Sequence, residues 1–465
     1  MTTLLRPLLI AASTLTLAAC AVGPTYHAPV EAPVTLTAVN PAAVSTETPE
    51  PTWWRDFGDA ELDALIEHAL AANLDVRQAV ARVDQARALF HDRQLDRAPR
   101  VTAAGGYSRA YEQEVGFTNT PATVEQAQLG FDASWEIDLF GRVRHGIDAA
   151  RADRDAARED LEAVRISIVA EVARNYFELR GAQARRLVAE ANAQTQRETL
   201  RLTTVRRTIG YEDPVDVASA QARLSATEAL IPPLIADEKR AAQRLAVLAG
   251  QRPGAFDQEL ATAQAVQPAH ATPLPVGDVS DLLRRRPDVR AAERRLAAET
   301  ARTGVSTADL FPRVSVTGFI GLLSGDPSTL FTKKANAWTI SPAVSWPGLD
   351  LGGAKARLRA QQAKGDEQLA AYQQTALQAI EDLQDAVTTY AQRQAELASL
   401  AEQVAAARRG SDLARARFKE GDIDFLRVLD ADRTRLQAED ALAAAQTAAN
   451  TDAVAVYKAL GGGLS

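Results

Sequence analysis

The strongest constraint on what this chain can fold into is that it is written twice. Leu74-Asp75-Val76-Arg77 matches Pro287-Asp288-Val289-Arg290, and Pro99-Arg100-Val101 matches Pro312-Arg313-Val314, both at an offset of 213 (288 less 75, 312 less 99). Trp135 and Trp346 are 211 apart (346 less 135), as are Gly210 and Gly421. Asp138-Leu139-Phe140-Gly141 faces Asp350-Leu351-Gly352-Gly353, and Leu248-Ala249-Gly250 faces Leu460-Gly461-Gly462, both at 212 (350 less 138). A near-constant spacing over separated landmarks marks a duplication rather than chance likeness between Ala-rich helices. The copies span 59–250 and 281–465. A linker at 251–280 carries Pro253, Pro268, Pro273 and Pro275, and an extended Pro- and Thr-rich segment at 20–58 precedes the first copy.

Each copy has the same order of elements. In the first, a helical pattern at 59–97 stops before Pro99, and a strand pair follows at 100–111 and 126–139. A proline-free run from Gly141 to Gly210, a break at Gly210-Tyr211-Glu212-Asp213-Pro214 and a return helix to Gly250 complete it. In the second, the helix is expected at 281–310, the strands at 312–323 and 336–347, and the long helix at 353–420. The break falls at Gly421-Asp422-Ile423-Asp424, and the return helix runs to Leu460. Each long run would extend roughly 100 Å at 1.5 Å per residue. Leu161, Val164, Ile168, Val172, Tyr176 and Leu179, like Leu377, Ile380, Leu383, Val387 and Tyr390, recur every three or four residues, a narrow coiled-coil seam. Such helices need partners along their whole length. The half-length helices are expected to supply them by stacking end to end, 59–97 with 425–460 and 214–250 with 281–310. A tube of helices follows from this more readily than a globule.

The strands alternate strictly. Leu129, Phe131, Ala133, Trp135 and Ile137 fall on one face, and Gly130, Asp132, Ser134, Glu136 and Asp138 on the other. Trp338, Ile340, Val344 and Trp346 alternate with Thr339, Ser341, Ala343 and Ser345. The pattern fits a water-filled barrel in lipid, and it equally fits a half-buried soluble sheet. The N-terminus decides between them. Arg6, the apolar stretch Leu8 to Leu17 and Leu17-Ala18-Ala19-Cys20 resemble a bacterial lipoprotein signal at 1–19, with the chain's single cysteine at the acylation position; the plainer reading is an unmodified cysteine beside an ordinary cleavage site. Ala21 follows where an aspartate would retain the protein at the inner membrane, so the outer membrane is expected. Several acyl chains, at about 0.8 kcal/mol per buried methylene, anchor such a protein firmly. No segment has ~18 consecutive apolar residues, so a membrane crossing has to be made with strands. Four strands cannot close a channel, since the smallest barrels need about eight, and open edges are not tolerated in lipid. Several protomers must share one barrel, and a homotrimer supplies twelve strands and twelve helical columns.

These residues together resemble the outer-membrane factor (TolC-like) family, in the lipoprotein, NodT-type branch serving resistance-nodulation-division (RND) efflux pumps. The resemblance rests on Cys20-Ala21-Val22-Gly23-Pro24-Thr25-Tyr26 with Pro29, and Trp53-Trp54-Arg55-Asp56-Phe57 with Leu62 and Asn73. It extends through Arg286-Pro287-Asp288-Val289-Arg290 with Glu293, then Phe311-Pro312, and Tyr457-Lys458-Ala459-Leu460-Gly461-Gly462-Gly463. It implies a mixed α and β fold: a trimeric α-barrel of long coiled-coil helices, with four strands per protomer completing a shared twelve-stranded transmembrane β-barrel. It also implies docking to a periplasmic membrane-fusion adaptor and an inner-membrane RND pump, and passive conduction of drugs and toxic compounds. At the second break, Gly421 to Asp430 resembles the family's periplasmic tip, where an inward leucine and an aspartate one turn later constrict the closed pore. The matching residues are Leu426 and Asp430, whose i, i+4 spacing places both on one helix face. The plainer reading of Asp430 is a solvated carboxylate paired with Arg427 or Arg433. Ser219 stands at the equivalent place in the first copy (430 less 211), so the two tips differ chemically.

The sequence argues against other classes. The net charge of -8 and the dispersed basic residues leave no footprint for nucleic acid. The five histidines (His27, His68, His91, His145, His270) lack metal-ligand spacing, and neither a phosphate loop nor G-x-S-x-G is present. No enzyme activity and no cofactor are expected. The competing readings are an exit duct for metal ions or secreted protein, and a structural coiled-coil periplasmic lipoprotein.

Overall fold

The computed structural model describes residues 21–29, 43–113, 121–211, 213–262, 273–278 and 282–462. They divide into two compact units. One comprises Met1–Val30, Arg82–Arg158 and Ala291–Gln374, and the other Glu31–Ala81, Glu159–Arg290 and Thr375–Ser465.

In chain order the elements are β1 (Val44–Ser45), a 3-10 turn at Trp53–Phe57, α1 (Ala60–Ala72), α2 (Leu74–Leu95), β2 (Arg100–Gln113), β3 (Pro121–Ile137) and α3 (Arg142–Thr208). Then come α4 (Pro214–Glu228), α5 (Ile231–Leu248), β4 (Leu274–Pro275), α6 (Leu282–Arg285) and α7 (Pro287–Ala308). β5 (Arg313–Ser324), β6 (Asn336–Ser345), α8 (Leu351–Glu420) and α9 (Phe425–Ala459) complete it. The proline-free runs expected as long helices are α3 and α8, of 67 and 70 residues.

The first unit is built on an antiparallel sheet of order β2-β3-β5-β6. Its registers align Ala103, Phe131, Ile320 and Trp338 in one row across all four strands. Two residues along, Val101, Ala133, Gly318 and Ile340 form the next row. Side chains alternate across a strand, so these rows share one apolar face. Thr102, Asp132, Phe319 and Thr339 form a row on the opposite, mostly polar face. The aromatic there has a local reason: a side chain at Gly130 would stand 2.6 Å from the Ile320 carbonyl and 2.7 Å from the Phe319 ring, so the ring covers paired glycines.

The second unit packs helices against one another. Asp59 caps α1 by accepting from the Glu61 and Leu62 amides. Trp53 is 2% exposed and stacks on Tyr457 at 4.7 Å, which places the Trp-Trp motif against the end of α9. β1 and β4, from the two Pro-rich connecting segments, pair in parallel.

The structure corrects four expectations, the first being the helix at 281–310, which is α6 and α7 divided at Arg286. The helix at 59–97 is two helices broken at Asn73, and the return helix to Gly250 is broken near Leu230, ahead of Pro232 and Pro233, which start α5 where their missing amides cost nothing. The end-to-end stacking also follows the other pairing. Asn73 donates its side-chain amide to the Leu248 carbonyl at 2.8 Å and accepts from the Asp75 and Val76 amides. One side chain thus closes the end of α5 and starts α2, within the first copy. The corresponding position in the second copy is Arg286 (73 plus 213), and it joins the end of α9 to the start of α7.

Candidate functional site

The apolar face of the sheet is open. Phe131, Ile320 and Trp338, one row across three strands, are 55%, 65% and 75% exposed. Leu129, Val101, Ile340 and Val344 continue the surface. Contiguous apolar area on this scale requires a covering phase. Among the described residues both outer strands also lack a second neighbour, leaving backbone donors and acceptors along β2 and β6. At the helix-proximal end, Trp135 donates its indole N–H to the Arg97 carbonyl at 3.1 Å, and Trp346 donates to the Leu310 carbonyl at 3.0 Å. These tryptophans, with an apolar body and a bonded polar tip, form the kind of belt found where a membrane surface meets water.

The segment after Cys20 is fastened to the same end of the sheet. The Val22 amide donates to the Phe140 carbonyl at 3.1 Å, and the His145 imidazole Nε2 lies 3.0 Å from the Val22 carbonyl. The Tyr26 hydroxyl donates to Glu293. Burial and that carboxylate push the Tyr26 hydroxyl's pKa up. Gly23 (φ +123) passes where a side chain would meet the Gly304 backbone at 2.8 Å. Cys20 itself lies outside the described residues.

In the second unit, Arg286 is the buried junction. Its guanidinium donates to the Ala459 carbonyl of α9 at 3.2 Å and the Ala379 carbonyl of α8 at 3.3 Å. It also pairs with Asp382 of α8 at 3.1 Å and with Asp288 of α7 at 2.6 Å. Burial alone would raise the Asp288 carboxyl, but the hydrogen bond and charge of Arg286 outweigh it and hold the group below the ordinary carboxylate range. Three helices of the second copy are knitted at one cation, where the first copy uses the neutral Asn73.

Both breaks end their long helices in the same way. Gly210 and Gly421 adopt φ of 83° and 84°. The bonds Tyr211 N–H to Arg206 C=O and Asp422 N–H to Arg417 C=O then close a Schellman turn. Asp213 and Asp424, again 211 apart, cap the helices that follow. Phe425, Val428 and Leu429 pack with Ala220 in the core of this region. Leu426, 53% exposed, and Asp430 occupy the opposite face of α9. Asp430 pairs with Arg433 at 2.5 Å, which is the plainer partner read from sequence. The two candidate residues therefore share an exposed helix face without touching the local core.

Two acidic residues that the sequence reading did not single out sit inside the helix packing. Asp432, 3% exposed, accepts from Ser411 and Arg415, both of α8, at 2.8 Å. Glu439, 7% exposed, accepts from Arg408 of α8 at 2.7 Å and from Asn192 of α3 at 3.1 Å. Burial opposes its charged form, yet Arg408, Asn192 and Arg435 together hold its pKa below the ordinary value. The signal was present: Asp432 and Glu439 continue the buried Phe425 and Val428 at heptad spacing, so both acids fall on seam positions. Buried polar pairs at a seam fix register rather than add stability.

Comparison with known proteins agrees with this geometry. The outer membrane efflux protein family matches residues 65–251 and 279–462. The chain is 32% identical to outer membrane protein OprJ of Pseudomonas aeruginosa, over 97% of this chain and 94% of that protein. It is 29% identical to nodulation protein T of Rhizobium leguminosarum bv. trifolii, over 93% of this chain and 92% of that protein. The solved outer-membrane channel OprN superposes with a TM-score of 0.92 at 43% identity, covering 96% of this chain and all of that one. The chain belongs to the outer membrane efflux protein family, whose members are non-enzymatic channels of tripartite pumps.

Proposed function

We propose that three copies of this chain close one twelve-stranded barrel in the outer membrane and conduct drugs and other toxic small molecules passively outward. The observation that supports this most is the four-stranded sheet with one exposed apolar face and two unpaired edges. A sheet with open edges is not tolerated in lipid, and a closed barrel has none. The polar face then lines a water-filled lumen. The long helices of the three copies form the periplasmic tube, an adaptor protein docks to it, and an inner-membrane RND pump supplies the energy. The same reading keeps residues 1–19 as a removed signal, 20–58 as the anchored N-terminal segment, and 59–250 and 281–465 as the two repeats around the 251–280 linker.

Acylation of Cys20 is the anchor in this reading. Cys20→Ser is expected to abolish acylation and slow signal removal. Mass spectrometry of the mature N-terminus checks it, and an unmodified Cys20 or a start elsewhere in the parent protein contradicts the anchor.

Leu426 and Asp430 are the gate. Threefold symmetry turns them into an apolar ring and a ring of three carboxylates, which attract cations and disfavour anions. Like charges around a narrow axis repel one another, so helix packing and Arg433 hold the closed tip. Replacing both residues with Ala should admit large antibiotics to cells lacking the pump, while Ser219→Ala changes little. Unaltered susceptibility of cells carrying assembled double-variant trimers would leave Asp430 as a surface ion pair only.

A further inference from the structure

The duplication that organises the sequence also fixes how neighbouring copies meet. Three independent observations give the repeat operation for the strands. Pro99 and Val101 map onto Pro312 and Val314, so β2 is carried onto β5 by 213 residues. Val101 lies opposite Ala133, and Val314 lies opposite Val344, so β3 is carried onto β6 by 211 (344 less 133). The indole bonds repeat both steps at once: Trp135 to Arg97 becomes Trp346 to Leu310, 211 and 213 residues on. The two hairpins are therefore the same object placed twice, joined through β3 and β5.

That internal junction has a definite register, with Phe131 opposite Ile320. A closed ring of hairpins must repeat it wherever one copy ends and the next begins. Moving Phe131 forward by 211 gives Pro342, and moving Ile320 back by 213 gives Tyr107. We infer that β6 of one protomer pairs antiparallel with β2 of its neighbour, Pro342 facing the partner's Tyr107 and Ser341 facing the partner's Ser108. The inference rests on the shared-barrel reading and adds the register to it.

Further features of the strands fit this register. The register places Asn336, the first residue of β6, opposite the partner's Gln113, the last residue of β2, so the strand ends are flush and all of β6 is paired. Tyr107 lies on the apolar face and Pro342 continues the Trp338 and Ile340 series, so the two apolar faces meet at this row, and one row further out Arg109, paired with Glu125 on its own protomer, faces the neighbour's Ile340. Val344 faces the partner's Gly105. A shift of one residue would turn the apolar face of one protomer toward the lumen of the next.

Paired cysteines test the register in the full-length protein. Residues directly opposite in an antiparallel pair have Cα atoms about 4.5–5.5 Å apart, within reach of a disulfide; diagonal neighbours at ~7–8 Å are not. Under mild oxidation in outer membranes, Ser108→Cys with Ser341→Cys should give covalent dimers and trimers on denaturing gels. The covalent bands should be lost when Ser341→Cys is exchanged for Thr339→Cys or Ala343→Cys. Thr317→Cys with Ser341→Cys, directly opposite within one chain, reports that oxidation worked. Strongest linkage through position 339 or 343 overturns the register while leaving the shared barrel standing. No linkage between chains from any of the three pairs, with the control disulfide formed, overturns both.

Discussion

Replacing Phe131 with Arg is expected to prevent stable trimers from accumulating in the outer membrane, whereas Arg at Ser134 is tolerated. The two positions lie three residues apart on β3, both exposed, on opposite faces of the sheet. Phe131 sits in the middle of the apolar row with Ile320 and Trp338. A guanidinium there costs roughly 2–4 kcal/mol if the row lies near the bilayer midplane, and it does so in every protomer. Ser134 shares its row with Thr317 and Ser341, where water solvates the new charge. Trimer yield in purified outer membranes, read with and without heating on gels, compares the two variants. Equal yields would mean that lipid does not cover the Phe131 face.

Arg286→Ala is expected to lower the temperature at which trimers dissociate by far more than Asn73→Ala, although the two residues occupy equivalent positions. The asparagine contributes a cap and one bond to a carbonyl, worth about 1–2 kcal/mol. Loss of the guanidinium leaves two helix carbonyls and two carboxylates without their cation. Removal of one partner from a buried pair costs about 3–5 kcal/mol, and the low end applies because Asp288 and Asp382 are 40% and 58% exposed. Arg286→Lys should recover little, since one ammonium cannot span α7, α8 and α9 as the planar fork does. Dissociation temperatures on denaturing gels measure the series. Equal shifts for Asn73→Ala and Arg286→Ala would show that Arg286 is only a helix start, as its place before Pro287-Asp288 suggests.

Much of this architecture was legible in the residues because the relevant periods are strong. Alternation in Gln128 to Asp138 fixed which β3 side chains share a face, and repeated landmarks located both breaks. The stacking partners were not legible for a reason inherent in duplication. Near-identical offsets make pairing within a copy and pairing between copies look alike, and the Asn73 bond to Leu248 and the Arg286 bond to Ala459 separate them. The stop at Asn73 was hidden because no proline or glycine marks it, and the amide ends one helix while starting the next. Asp432 and Glu439 were passed over because an acid in an Ala-rich helix reads as surface until its seam position is noticed. Leu426 and Asp430 were found through resemblance: exposure on one helix face is what the single chain displays, and the proposed ring would be a property of three copies.

Assembled copies of this chain are expected to conduct across a membrane, with the constriction at the tip of α9. Purified trimers in planar lipid bilayers test it most directly, using the parent beside the Leu426→Ala, Asp430→Ala double variant. Discrete current steps are expected from both, larger and less cation-selective for the double variant. Silent bilayers from folded double-variant trimers, in which a closed tip no longer explains silence, would contradict it, as would steps identical in size and selectivity to the parent's.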